Sequence, residues 1–323
     1  MKGWLFTKAK QPLEFVEKPD PVAKPGWVVV DVKAAGLCRT DLGIMEHEYW
    51  VENGIVRNLP LILGHECAGV VESVGEGVSF VKPGDRVALD CAIDAMTGES
   101  LGITHDGGFA TKVLVKEQQC LPIPEGVTFA QAAASTCAGR TAYRSFFSIG
   151  GGHAGQKVAI IGFGAIGQYV MQMAKVTGCE VYAVDVNEDS RRIANEMGCA
   201  GVFDKVSDLN AIAPELIVDF VGAGDITNQA IKACAKGGTV VLVGMSSDKI
   251  SIDVTAYDGL VLKEVQLKGC GGSSPHEVAG TMDLYSTGGF NPNIITFPFE
   301  EIDKGLEKLK NHEFDGRPVA VRD

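Results

Sequence analysis

The segment that most constrains this chain is Lys157 to Thr177. A short β-branched apolar run, Lys157 to Ile161, leads into Gly162-Phe163-Gly164-Ala165-Ile166-Gly167, and helix-forming residues continue to Thr177. In a chain with 40 glycines a G-x-G-x-x-G spacing can arise by chance. Between a strand and a helix it becomes specific. There the first glycine makes the tight turn, the second lets the backbone approach a pyrophosphate, and the third lets the helix pack close to the strand. The unpaired N–H groups at the helix start suit phosphate oxygens.

The same alternation runs on either side. Ala130 to Phe147 and Ser190 to Met197 read as helices, as does Thr227 to Ala235. Glu180 to Asp185, Leu216 to Phe220 and Gly238 to Val243 read as strands, and Val261 to Lys268 as a last strand near the sheet edge. Strands alternating with helices predict βαβ units and a parallel sheet, so the fold class is α/β with a Rossmann doubly wound sheet. Asp185 ends the second strand, eighteen residues past Gly167. A carboxylate there accepts hydrogen bonds from an adenosine ribose and repels a 2′-phosphate, which predicts NAD rather than NADP. Arg191 and Arg192, which could hold a 2′-phosphate, fall inside the following helix.

The first 120 residues differ. Gly26 to Val32, Gly69 to Val74 and Lys112 to Val115 read as strands separated by Pro-Gly and Gly-rich turns, which predicts a small barrel or sandwich. The end of the chain reads as a helix, Ile302 to Lys310, and a strand, Pro318 to Arg322. With 323 residues, more than one core usually serves, two domains are expected: 138–271 for the dinucleotide, and 1–137 with 272–323 for the rest. A net charge of -12 argues against a nucleic-acid partner. No apolar run is long enough to span a bilayer, and Met1 to Thr7 lacks the apolar region of a signal peptide; a cytoplasmic protein without a membrane partner is expected. The nine cysteines include no C-x-x-C pair, and Cys67, Cys120, Cys179, Cys199 and Cys234 read as small buried apolar residues.

Cys38 and Cys137 stand apart because of their surroundings. Gly36-Leu37-Cys38-Arg39-Thr40-Asp41 ends a strand, and Gly64-His65-Glu66 follows an apolar run. Pro83-Gly84-Asp85-Arg86-Val87, Asp106-Gly107-Gly108-Phe109-Ala110 and Cys137-Ala138-Gly139-Arg140-Thr141-Ala142-Tyr143 follow in turn. With the glycine turn, this series resembles the zinc-containing alcohol dehydrogenases of the medium-chain dehydrogenase/reductase family over nearly the whole chain. The resemblance implies a β-rich, chaperonin-10-like catalytic domain beside the Rossmann domain. It implies one catalytic zinc on Cys38, His65 and Cys137, with Glu66 beside it or an occasional ligand and Asp41 orienting His65. Two thiolates and one imidazole leave zinc an open position, the mark of a catalytic site. It further implies that Thr40 passes the alcohol proton, that Arg39 and Arg317 hold the pyrophosphate, and that Thr141 touches the nicotinamide. Val221, Gly222, Val243 and Gly244 would line the cofactor groove. The substrate would be an alcohol or its aldehyde or ketone, and the assembly a homodimer or homotetramer.

The chain departs from that family twice. Many relatives hold a structural zinc with four cysteines between the P-G-D-R-V and D-G-G-F-A motifs, whereas Ala88 to His105 contains only Cys91, so no such site is expected. Cys91 either borders the substrate pocket or is a buried inert cysteine, and Trp50, Phe109 and Tyr49 are expected to help form the pocket. The second departure is Gly43, which stands where relatives often carry the last histidine of a proton relay; His47 is the candidate substitute, with water as the alternative. Two other functions remain open to the sequence. One is a zinc-free quinone or enoyl reductase of the same fold, the other a non-catalytic nucleotide-binding protein, and zinc content distinguishes both from the leading reading.

Overall fold

The chain divides into two units, one formed by Met1–Arg140, Ser274–Gly288 and Asn293–Asp323, the other by Thr141–Ser273 and Gly289–Pro292. The structure, a computed structural model, describes residues 1–91, 98–247, 249–272 and 274–322.

The first unit runs through β1 (Lys2–Phe6), β2 (Glu14–Glu17), β3 (Trp27–Gly36), helices α1 (Arg39–Glu46) and α2 (Tyr49–Glu52), β4 (Leu61–Ile62), β5 (Glu66–Val74), β6 (Arg86–Leu89), β7 (Lys112–Lys116) and β8 (Cys120–Pro122). It resumes near the C-terminus with β15 (Ile294–Pro298) and β16 (Arg317–Val321). Strand β3 organises it. One edge pairs with β5; the other is shared, with β7 along Trp27–Asp31 and β16 along Ala34–Gly36. Its Val28, Val30, Val32 and Ala34 are fully buried, and Val29 and Ala35 are buried too, so both faces of the strand are covered over much of its length. A three-stranded sheet, β2-β1-β4, completes the β-rich part, and Phe6, Leu37, Ile44, Leu63 and Phe109 share one core.

The expected helix over 130–147 spans 129–149 and is not regular. Thr128 caps α3 (Phe129–Ala134) in a box with Gln131, a π-helical turn follows at Ser135–Gly139, then α4 (Arg140–Tyr143), then a second π turn at Arg144–Ile149. Each π turn holds one residue more than an α turn and rotates the faces that follow.

The second unit contains β9 (Lys157–Ile161), α5 (Ala165–Thr177), β10 (Glu180–Val184), α6 (Glu188–Glu196), β11 (Gly201–Phe203), β12 (Leu216–Asp219), α7 (Ile226–Ala233), β13 (Thr239–Leu242) and β14 (Gln266–Gly269). The order is β11-β10-β9-β12-β13-β14, and every pair is parallel. The order reverses between β9 and β12, so the turns after these two strands flank a switch point, where open α/β sheets bind ligands. The edge strand is shorter than the Val261–Lys268 expected. Val261 to Glu264 form turns closed by Lys263 N–H to Gly259 O at 3.1 Å, and Glu264 has φ 55°, so their apolar alternation comes from a turn. Helices α8 (Pro275–Ser286) and α9 (Ile302–Lys310) belong to the first unit. Among the described residues, no helix is long and apolar enough to cross a membrane.

Candidate active site

Four chain segments converge in the first unit. Strand β3 ends at Gly36, and Cys38 takes the extended N-cap position of α1. Asp41, in the first turn of α1, is fully buried. One carboxylate oxygen accepts the Cys38 backbone N–H at 3.0 Å and the other accepts from His65 Nδ1 at 3.1 Å. Asp41 thus ties the segments carrying two of the expected ligands and turns His65 Nε2 toward Cys38, the role expected of it.

His65 follows Gly64, whose φ of +92° only glycine adopts readily. Glu66 opens β5 opposite Gly36 on β3. A Cβ on residue 36 would come within 3.0 Å of Glu66 Cβ, so glycine there makes room for the glutamate. Cys137 comes from the first π turn. The result is a cluster in which one donor atom from each of Cys38, His65, Glu66 and Cys137 lies within 4.8 Å of the others.

This set fits zinc. Zinc–sulfur and zinc–nitrogen bonds of about 2.3 and 2.0 Å put tetrahedral donors roughly 3.3–3.8 Å apart, a spacing the cluster can adopt with little movement. As protein groups by themselves, the four shape one another's protonation. Donation from Cys137, then the imidazole of His65, holds the Cys38 thiol well below its ordinary range. Cys137, which donates a hydrogen bond to the Cys38 sulfur and is desolvated, is pushed up. Burial pulls His65 down, but the Asp41 carboxylate and the Cys38 sulfur outweigh it and raise the imidazole.

Arg317, expected at a pyrophosphate, is engaged by Glu66. Its guanidinium donates to both carboxylate oxygens, Nε to Oε2 at 3.2 Å, and both side chains are buried. Arg39 is exposed, with its guanidinium against the His312 ring at 2.8 and 3.0 Å. Thr40 Oγ1 lies 3.6 Å from Cys38 Sγ. His47 is exposed at the C-cap of α1, where the chain has left helical geometry with ψ 123°. A Cβ at Gly43 would meet the Trp50 indole at 3.4 Å, an ordinary contact, so the packing does not by itself call for glycine there.

The expected pocket residues are corrected in part. Phe109 is fully buried under Gly64 and fills the core. Cys91 is buried, with its thiol on the Thr136 carbonyl at 3.6 Å. Trp50 packs its ring against the same core as Phe109, and Tyr49 is exposed. Composition around a motif does not reveal which way an aromatic in a short helix or a bend faces, and here packing decided it.

In the second unit the glycine turn has the expected form. Gly162 has φ +88°, Gly164 is open on its outer side, and a Cβ at Gly167 would come 2.7 Å from Gly162 O. The Asp185 carboxylate accepts from Phe163 N–H at 2.7 Å and from Asn187 N–H at 2.8 Å, so it sits beside the turn. Arg191 is committed to the Asp185 and Val186 carbonyls, and Arg192 to Glu196 at 2.9 Å. After β12 and β13, Gly222 and Gly244 touch backbone to backbone, beside Val221 and Val243, while Thr141 lies half-buried in α4.

Sequence reading missed Asp219. It is fully buried at the end of β12 and accepts from Val221 and Gly222 N–H at 2.9 and 3.0 Å and from Thr227 Oγ1 at 2.7 Å, which fixes the loop at the switch point. The signal available was an acid closing an apolar strand, as at Asp185. The buried Arg140–Asp90 pair, 2.7 Å apart and one turn past Cys137, had no signal in the sequence.

Comparison with known proteins agrees with this geometry. Residues 24–125 match the alcohol dehydrogenase GroES-like domain, and residues 165–287 match the zinc-binding dehydrogenase domain. An alcohol dehydrogenase of Geobacillus stearothermophilus is 29% identical over 344 aligned positions, spanning 99% of this chain and 98% of its own. Among solved structures, the acetophenone reductase of Geotrichum candidum in complex with NAD superposes with a TM-score of 0.84 at 26% identity, covering 99% and 97% of the two chains. The alcohol dehydrogenase of the archaeon Aeropyrum pernix gives 0.85 at 25% identity, covering 100% of each. An α/β nucleotide unit, a β-rich unit bearing the cysteine–histidine–cysteine set, and matches over the full length together place this chain in the medium-chain dehydrogenase/reductase family, among its alcohol dehydrogenases.

Proposed function

We propose that this oxidoreductase transfers hydride between an alcohol, or the corresponding aldehyde or ketone, and NAD, with one zinc ion held by Cys38, His65 and Cys137. The observation that carries the reading is the cluster of four donor atoms within 4.8 Å, built from two cysteines, a histidine and a glutamate. Zinc bound there supplies Lewis acidity to the substrate oxygen. Asp41 fixes which imidazole nitrogen faces the metal. Arg317 holds the Glu66 carboxylate beside the ligands, where it remains available as an occasional fourth donor. The Thr40 hydroxyl, 3.6 Å from Cys38 Sγ, both donates and accepts and so takes the proton an alcohol gives up. His47 or water carries it onward.

The glycine turn, Gly162, Gly164, Ala165, Ile166 and Gly167, takes the pyrophosphate on the N-terminus of α5, and Asp185 accepts the adenosine ribose hydroxyls. Arg39 adds charge for the phosphates, Arg317 being spent on Glu66, while Thr141 meets the nicotinamide and Val221, Gly222, Val243 and Gly244 line the groove. The relative solved with NAD supports this choice of cofactor. Two chains associate through the outer edge of β14, which pairs with no further strand among the described residues, as a dimer or within a tetramer, because such a strand edge invites pairing. Zinc analysis of the purified protein, with a panel of alcohols assayed by NADH absorbance, tests the reading. The expected result is about one zinc per chain and zinc-dependent turnover. Turnover undiminished in zinc-stripped protein, or a ratio near two, overturns it.

A further inference from the structure

The segment Ser100–Gly108 occupies the interval in which the cysteines of a structural metal lobe are lacking, and it is built against the metal-binding cluster. Gly108 N–H donates to Gly64 O at 2.6 Å, Phe109 N–H to Leu63 O at 3.0 Å and Gly107 N–H to Ile62 O at 2.8 Å. The Asp106 carboxylate accepts from Ile62 N–H at 2.9 Å. The backbone from Ile62 to Gly64, which delivers His65, is therefore held residue by residue.

Gly102 sets the spacing. It has φ +69°, and a Cβ there would lie 2.5 Å from both the carbonyl carbon and oxygen of Gly64 and 2.9 Å from His65 N. These are backbone atoms, with no rotamer to relieve the overlap. Ser100 reaches the other side of the cluster. Its hydroxyl donates to Cys91 O at 2.8 Å, and the Cys91 thiol meets Thr136 O at 3.6 Å, next to Cys137. Ser100 is itself locked by Thr104, whose hydroxyl accepts from Ser100 N–H at 2.8 Å and lies 3.1 Å from Ser100 O.

We propose that Gly102 and Ser100 are positioning residues for the metal centre, and that the Ser100–Gly108 segment is a metal-free brace that sets the placement of His65 and Cys137. This rests on the reading of Cys38, His65 and Cys137 as ligands. The brace acts on the directions of the His65 nitrogen and the Cys137 sulfur, so its loss changes the metal's coordination as well as the fold's stability.

The test uses cobalt(II) as a spectroscopic probe in the full chain, with zinc affinity measured by chelator competition. Gly102→Ala is expected to shift the cobalt d–d and thiolate charge-transfer bands and to weaken zinc binding about tenfold or more, the usual scale for a lost outer-shell support. Gly126→Ala is the matched control: Gly126 also has positive φ, at +84°, but nothing lies within 4 Å of its Cβ position. It is expected to lower melting temperature while leaving the spectrum and zinc affinity unchanged. Ser100→Ala, which creates no overlap, is expected to change the thiolate bands with only a modest fall in melting temperature from the hydrogen bond lost at the Cys91 carbonyl. If Gly102→Ala and Ser100→Ala both keep the wild-type cobalt spectrum and zinc affinity, the brace is refuted while the ligand reading stands. If the wild-type protein binds neither metal, both fall.

Discussion

The buried pair of Arg317 and Glu66 gives a prediction that can be worked in magnitude. Replacing Arg317 with methionine keeps most of the side-chain volume but leaves Glu66, at 0% exposure, with only the His65 imidazole, 3.8 Å from Oε1, as a charge partner. Removing one partner of a buried ion pair costs about 3–5 kcal/mol, because the remaining charge is neither solvated nor compensated. All three tryptophans, Trp4, Trp27 and Trp50, lie in the first unit, so tryptophan fluorescence follows that unit's unfolding. With a urea dependence of roughly 2–3 kcal/mol per molar, the midpoint for Arg317→Met in metal-free protein should fall by about 1–2 M. Glu66→Gln combined with Arg317→Met should recover much of the loss, since a neutral buried pair no longer strands a charge. Added zinc should also narrow the gap, because a dication among these donors gives the stranded carboxylate a new partner. A midpoint shift below about 0.3 M for the single variant, or no recovery in the double, would refute the reasoning.

Three further predictions follow from the same structure. NAD should be preferred over NADP by more than about tenfold in kcat/KM, with Asp185→Gly narrowing the ratio; equal use of both cofactors by the wild type would show that the carboxylate does not discriminate. If His47 carries the proton released in alcohol oxidation, His47→Gln should lower kcat between about pH 6 and 8 and imidazole buffer should partly restore it, whereas a wild-type rate leaves water as the carrier. Thr40→Ala should be severe either way. Burial holds His105 below its ordinary pKa, because charging the imidazole there is unfavourable. The folded state therefore binds fewer protons than the unfolded chain, so this stabilisation is complete above about pH 6.5 and is lost as pH falls through the lower folded value. His105→Gln should flatten melting temperature against pH below 6.5, and an unchanged slope would show that the histidine is already solvated in the fold.

Much of the nucleotide unit was legible because its determinants are local. Strand β9 and helix α5 coincide with the segments read from the sequence, Lys157–Ile161 and Ala165–Thr177, and the glycines between them have the open or crowded surroundings their spacing implies. Backbone sterics within a six-residue turn are written in the residues themselves. The apolar alternation of Val261 to Lys268 misled for the same reason in reverse: periodicity reports which residues recur, and a run of turns can mimic it. The identity of the cluster residues was also local, since each expected ligand lies within a short motif.

Their mutual placement was not. Cys38, His65, Glu66 and Cys137 meet because β3 pairs with β5 in the register that sets Gly36 against Glu66, and because a π turn rotates Cys137. The partner of Arg317 was decided the same way. It lies 251 residues from Glu66 in sequence, and only the sheet that brings β16 beside β3 buries the two together. Local chemistry determined which groups this chain can offer to a metal and a dinucleotide. Which groups face one another, and which are spent on the core, depended on strand register and long-range packing, because hydrogen bonds and burial act between residues that sequence spacing does not relate.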